Sequence, residues 1–227
     1  MHLTVSTKFS SWCSAMNDSN YFKDTWLEIR DRLVAKRLLG DREASLSVRC
    51  ADGKRIWVGA VDAEQPDLVD LLQPVTDPQA ALHAAVYEHR GDVGAIAVGG
   101  GPYGSLISGF GGVMPQLFDE QARHIGEMPP PVRCQADLEP ALSGAGNALL
   151  WRDRPLCMGI TSTRLALNVE LFEKCAKAFV LAAATGGRIT LLPWWVRRIA
   201  NARLAKDEKR ALAAFSRGEL PVESSGY

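Results

Sequence analysis

The chain has 227 residues, 47% of them hydrophobic and 23% charged, which suits one well-cored domain and argues against long disorder. Its 26 basic and 26 acidic residues cancel, so no field drives it toward nucleic acid or an anionic membrane. No apolar run reaches the roughly 18 residues that span a bilayer, and the polar first 20 residues lack the basic-then-apolar order of a signal peptide.

In chain order, residues 1–20 read as an N-terminal tail. From Asp18 or Ser19, Phe22, Trp26, Ile29 and Leu33 recur at three- and four-residue steps, predicting an amphipathic helix that ends near Gly40. SLSVRC and KRIWVGAV flank Ala51-Asp52-Gly53, a hairpin signal. Asp77 as N-cap and Pro78 as first helical residue open a helix over 78–90. The apolar run Val93–Val98 predicts a buried strand. A short helix or turn follows through Leu106, then the Pro-rich connector GEMPPPVRC and a helix over 136–143. NALLWRD and PLCMGI read as a strand pair. TRLALNVELFEKCAKAFVLAAA (163–184) sets Leu165, Val169, Phe172, Ala176 and Phe179 on one face of a long helix. A basic-faced helix over 193–216 closes the chain, with Trp194 and Trp195 expected to dock it on the body or a neighbour. Helices between hairpin-connected strands favour α+β layering over a regular βαβ array.

The strand at 93–98 runs into Gly99-Gly100-Gly101-Pro102-Tyr103-Gly104, a literal G-x-G-x-x-G. A dinucleotide turn requires a helix to start there and a second strand to follow. Pro102 falls where that helix should begin, and SLISGFGGVMPQLFDEQARH holds no second strand. A tight bend is the better reading. The five cysteines (13, 50, 134, 157 and 175) contain no C-x-x-C pair and read as thiols of a reducing compartment, by default the cytoplasm. Of four histidines, His2 falls in the tail and His83, His89 and His124 are scattered, so a His- or Cys-rich metal site is hard to assemble.

Taken together, LSVR with its hairpin, LHAAVYEHRGDVGAIAV, and LEPAL followed by NALLWRDRPLCMGITSTRLALNVELFEKCAKAFVLAAATGG resemble the class II aldolase/adducin family over residues 22–190. His83 and Tyr87 four apart, then Asp92, carry the most specific part of the likeness; Gly159, Glu170 and Glu173 also match. The resemblance implies a three-layer α/β/α domain (residues 21–190) with a central, mainly antiparallel sheet, followed by a C-terminal helix and tail (191–227). It also implies a homo-oligomer, commonly a tetramer, and a small-molecule ligand, with no nucleic-acid or membrane partner. Active members hold a divalent ion on three histidines to polarise a carbonyl.

By the same likeness, the His-x-His positions are Val98 and Gly100, and the third histidine position is Asp153, with Arg154 in place of a glycine. The acid/base glutamate position is Gln79, and glutamine exchanges no proton near neutral pH. The phosphate-pocket positions are Ala44-Ser45, Gly59-Ala60 and Asp77-Pro78, the last placing a carboxylate where a phosphate would sit. The expected site therefore has no metal and no cofactor. His83, Gln79, Asp153 and Tyr103 are the catalytic candidates; Arg49, Ser45, Arg152, Arg154 and Ser105 are the substrate-binding candidates. Each has a plainer alternative. His83 also reads as a satisfied structural histidine, Asp77 as a helix cap, Arg49 as half of a surface ion pair, and Arg152-Asp153-Arg154 as a charged hairpin tip. Two functions follow: metal-independent, lyase-like or isomerase-like chemistry on a small carbonyl or carboxylate metabolite of a specialised biosynthetic pathway, or a non-catalytic, adducin-like role in assembly and partner binding.

Overall fold

The computed structural model describes residues 6–40, 43–144 and 146–223, with side chains from residue 20 onward. Six strands form one sheet: β1 (Ser45–Arg49), β2 (Arg55–Ala60), β3 (Asp67–Asp70), β4 (Ala95–Val98), β5 (Ala148–Trp151) and β6 (Arg154–Gly159). Their spatial order is β3-β2-β1-β4-β6-β5 and every pair is antiparallel. Helix α1 (Ser6–Ala35) precedes the sheet and α2 (Pro78–His89) joins β3 to β4. Short α3 (Asp119–His124) and α4 (Leu138–Leu142) lead to β5, and α5 (Ser162–Ala184) and α6 (Trp194–Ser216) end the fold.

The period-two alternation of strand side chains sorts the core into two layers. Leu46, Val48, Ala95, Ala97, Leu150 and Cys157 face α1 and α5, joining Trp26, Leu33, Leu165 and Phe172. Ile56, Val58, Ile96, Val98, Leu149 and Leu156 face α2 and α4, with Val86 and Leu142. The result is a three-layer sandwich, helices on both sides of a six-stranded antiparallel sheet. Trp26 is fully buried, and its indole N–H donates to the Leu46 carbonyl at 2.7 Å, which satisfies the one polar atom that burial would strand.

Three expectations change. The first helix begins at Ser6, not Asp18, so it runs through most of the expected tail; of that tail, residues 1–5, which include His2, lie outside the described residues. An additional edge strand, β3, pairs with β2. Trp194 and Trp195 are 69% and 55% exposed and do not dock α6 on the body; Ala200, Leu204, Ala211, Ala214 and Phe215 are its buried side chains. Among the described residues no helix is long and apolar enough to cross a membrane.

Candidate active site

Alternation also creates a polar seam inside this sandwich. Ser45, Ser47 and Arg49 fall on the α2-facing side of β1, beneath His83 and Tyr87, which are one helical turn apart on α2. Ser45 Oγ lies 2.9 Å from His83 Nε2, Ser47 Oγ lies 2.7 Å from Nδ1, and Ser47 Oγ lies 2.9 Å from the Tyr87 hydroxyl. One proton arrangement satisfies all four groups of a neutral imidazole: Tyr87 donates to Ser47, Ser47 to Nδ1, and Nε2–H to Ser45. His83 and Ser47 are wholly buried and Ser45 and Tyr87 nearly so. Burial holds the His83 pKa down at about 3, against a small opposing pull from Asp77, and pushes the Tyr87 phenol well above its usual value. These side chains interlock α2 with β1, and no ring nitrogen of His83 reaches solvent.

Arg49 continues the seam. Its Nε and Nη2 donate to the Gly53 carbonyl at 3.1 and 2.7 Å and Nη1 to Gly91 at 3.0 Å, while the guanidinium stacks 5.4 Å from the Tyr87 ring and 5.0 Å from Phe215. Its fork thus ties the β1–β2 turn, the α2–β4 connection and α6 together, at the edge of a 360 Å³ cavity. Asp77 caps α2 by accepting from Ala80 N at 2.7 Å.

The remaining candidates gather at the other end of the sheet, where β4 finishes. Gln79, in the first turn of α2, donates to the Glu43 carbonyl at 3.3 Å, and the Glu43 carboxylate pairs with Arg154. Arg154 opens β6 beside Pro155, whose carbonyl accepts from Gly99 N at 2.8 Å. Arg152 and Asp153 are both exposed and form the two-residue tip between β5 and β6, with φ of 48° and 70°. Left-handed backbone at both positions is the type I′ geometry that matches strand twist. The Arg152 guanidinium rests over the Trp151 ring at 5.2 Å. Ser105 stands over Gly100: a Cβ built there would lie 2.8 Å from Ser105 Oγ. The nine candidates therefore divide: Ser45 and His83 are sealed inside, Arg49 is spent on backbone, Gln79, Ser105, Arg152, Asp153 and Arg154 lie toward the end of the sheet where β4 finishes, and the Tyr103 ring packs on the α1–α5 layer, 5.5 Å from Lys177 Nζ.

The glycine-rich turn holds an anion, and the anion is internal. Glu173 of α5 reaches into it, accepting from Tyr103 N and Gly104 N at 2.8 Å each. A Cβ at Gly101 would stand 2.6 Å from the Glu173 carboxyl carbon, so only glycine admits the carboxylate; Gly99, at φ 122°, makes the bend itself. Backbone amides converge on negative charge here as they would on a phosphate, but the ligand belongs to the chain. Sequence reading missed this role for Glu173. The signal was present: an acidic residue one position after Phe172, on the edge of the α5 face that meets the turn. Glu173→Ala is expected to cost about 2–3 kcal/mol, because two amide donors lose a charged acceptor; equal urea midpoints for variant and parent would count against that coupling.

The residues do not fit a metal centre of the kind the family resemblance implies. Val98 is buried among Ile96, Leu149 and Leu156, Gly100 has no side chain, and Asp153 projects from a turn tip. Among the described residues no three His, Cys, Asp or Glu side chains come together as a ligand set.

No protein-family model matches this chain, and no curated protein matches it in sequence. Solved structures do match in fold. An L-fuculose 1-phosphate aldolase superposes with a TM-score of 0.69 at 18% identity, over 81% of this chain and 96% of its own. YgbL from Klebsiella pneumoniae, a candidate aldolase/epimerase/decarboxylase, gives 0.66 at 18% identity, over 80% and 98%. An L-fuculose 1-phosphate aldolase from Glaciozyma antarctica gives 0.64 at 16%, over 89% and 92%. The chain has the class II aldolase fold.

Proposed function

We propose that this class II aldolase-like fold carries a divergent, metal-independent enzyme acting on a small carbonyl or carboxylate compound, by lyase-like or isomerase-like chemistry, at the open end of the sheet. The observation that supports the reading most is the run of polar groups beside the glycines that end β4: Gln79 on the Glu43 carbonyl, the Glu43–Arg154 pair, and Ser105 against Gly100. In this reading Arg154 orients the substrate carboxylate and Arg152 assists it. Asp153 accepts a proton, and the hydroxyls of Tyr103 and Ser105 and the Gln79 amide hydrogen-bond the carbonyl oxygen as charge develops on it. His83 and Ser45 support the frame from inside. The chain acts as a homo-oligomer, a tetramer by family resemblance, and in the cytoplasm.

The test is a panel of hydroxy- and keto-acids assayed for carbon–carbon cleavage, decarboxylation and epimerisation, with and without EDTA. Turnover should survive EDTA, and Asp153→Asn should lower kcat/KM by about 10²-fold or more. Turnover that requires an added divalent ion would overturn the proposal. A second reading, a non-catalytic adducin-like protein, is favoured by one observation: the buried groups best suited to proton transfer are occupied by one another. A negative panel combined with a stable homo-oligomer by light scattering would favour it.

A further inference from the structure

The chain is neutral overall, but its charges are segregated. Residues 186–206 carry Arg188, Arg197, Arg198, Arg203 and Lys206 and no carboxylate. Residues 61–76 carry Asp62, Glu64, Asp67 and Asp70 and neither lysine nor arginine. The first segment leads into α6 and forms its first half; the second contains β3, the edge strand beyond β2.

Ala200, Leu204 and Ala211 mark the face of α6 that packs on the body. At 3.6 residues per turn, Trp194, Trp195, Arg198, Ile199 and Lys206 fall on the opposite face, and all five are exposed. Both acids of α6 turn away from that face, Asp207 onto Arg123 and Glu208 onto Arg90. Arg203 sits to one side, lining a concavity with Asp119. Arg198 and Lys206 have no ion pair among the described residues. The outward face is therefore apolar and cationic together.

The β3 edge has the converse character. Asp62, Glu64, Asp67 and Asp70 are exposed, with Leu68 and Leu72 among them at 41% and 70%. Nearby cations are engaged elsewhere. Arg55, opposite Asp70 in the register, holds Asp52 at 2.7 Å; Arg30, which reaches the Ala63 carbonyl, pairs with Asp31 at 2.8 Å. Lys54, whose carbonyl accepts from Leu71 N, does not offset the acids. Asp62, Glu64 and Asp67 have no ion pair among the described residues.

We propose that the outward face of α6 in one copy docks on the β3 edge of a second copy. Trp194 and Trp195 pack against Leu68 and Leu72, and Arg198 and Lys206 face Asp67 and its acidic neighbours. The inference rests on the homo-oligomer of the proposed function and names its surfaces. Tryptophan and arginine are the usual anchors of protein interfaces. Aspartates at both ends of β3 discourage another strand from adding there, whereas a cationic helix face is attracted to them. Because the two surfaces are unlike, the contact is head-to-tail and repeats around a closed ring. An anionic membrane would answer the cations of α6 but leave the acidic edge and its two leucines unexplained; a second copy accounts for both surfaces.

Sedimentation velocity of the full chain over a concentration series tests this with two double variants. One carries Trp195→Glu and Arg198→Glu on α6, the other Asp67→Lys and Leu68→Lys on β3. Each should raise the dissociation constant for self-association by about a hundredfold or more. All four positions are exposed, so both variants should keep the parent circular dichroism and thermal midpoint. Mixed in equal amounts they should associate again, because the acidic edge of the first still matches the basic face of the second. A folding defect would show no such rescue. An assembled parent whose assembly survives either variant, or a mixture that stays monomeric, would sink the inference and leave the homo-oligomer reading standing. A monomeric parent would end both, and its co-sedimentation with phosphatidylserine vesicles would assign the α6 face to a membrane instead. Asp153→Asn, which tests the chemistry at the sheet end, should leave the assembly unaltered.

Discussion

Arg90→Met should destabilise the fold by about 3–5 kcal/mol, the scale for breaking a buried ion pair by removing one partner. Arg90 is 6% exposed and closes α2. Its Nε and Nη2 donate to both Asp92 carboxylate oxygens at 2.8 Å, Nη1 to the Gly146 carbonyl at 2.8 Å, and Nη2 also to Asn147 Oδ1 and Glu208 Oε1 at 2.9 and 3.1 Å. One guanidinium therefore holds α2, the segment before β5, and α6. Without it, two largely buried carboxylates face each other. Burial already raises the Glu208 pKa, with Asp92 and Asp207 adding to the effect, and only Arg90 opposes it. Removing the second charge should relieve that strain: Arg90→Met with Glu208→Gln is expected to recover about 1–2 kcal/mol relative to Arg90→Met alone. Urea unfolding of the four proteins in this cycle measures both numbers. A loss below about 1 kcal/mol for Arg90→Met would show that the cluster is solvated and that α6 is held by apolar contacts alone.

The second large effect concerns acid. His83 has a pKa near 3 in the folded chain against 6.5 unfolded. Between those values the unfolded chain binds a proton that the folded chain refuses, so stability falls as pH drops below 6.5. The limiting slope is about 1.4 kcal/mol per pH unit. His124, also depressed, adds in the same direction. Asp52, held below the usual carboxylate range by the Lys54 amide and then Arg55, and Glu170, held down by Lys36 and Arg32, contribute only at lower pH, where carboxylates titrate. Glu208, whose carboxyl is raised by burial, acts in the opposite sense, so the His83 contribution between pH 6 and 5 is read as the difference between parent and variant. His83→Gln should lose stability at pH 7.5, since it cannot bridge both serines, yet its stability should vary less across that window. Parallel pH profiles for the two proteins would mean that His83 becomes protonated while the fold remains intact.

Much of the architecture could be read from the residues because apolar periodicity and burial agree there. SLSVR (45–49) and RIWVGA (55–60) alternate, the strands at 148–151 and 154–159 are continuous apolar runs, and the Asp77-Pro78 cap and the stripe on α5 fall where expected. The misses share a cause. β3 is an edge strand with aspartate at both ends and mostly exposed side chains, so it carries no burial signal. The start of α1 lies in a run of serine, threonine and asparagine, which weakens the helical pattern. The candidate site was legible as a set of residue types and only partly as a place. Ser45 and Ser47 are conspicuous on an apolar strand, but strand spacing alone cannot say whether a ligand or α2 satisfies them. The pairing with His83 and Tyr87 is tertiary, 36 to 40 residues away in sequence. Likewise, G-x-G-x-x-G reports amides free to bind an anion, and the anion that fills them is some 70 residues downstream.

The tip formed by Arg152 and Asp153 constrains how this protein can change over time. A two-residue turn with both members left-handed leaves no slack between β5 and β6. One inserted residue must be taken up either by a longer, bulged turn or by a shifted pairing, and the shift would carry Leu156 and Met158 to the opposite face of the sheet. Side chains can therefore be exchanged at this corner with their positions held, so substitution alters its chemistry at fixed coordinates.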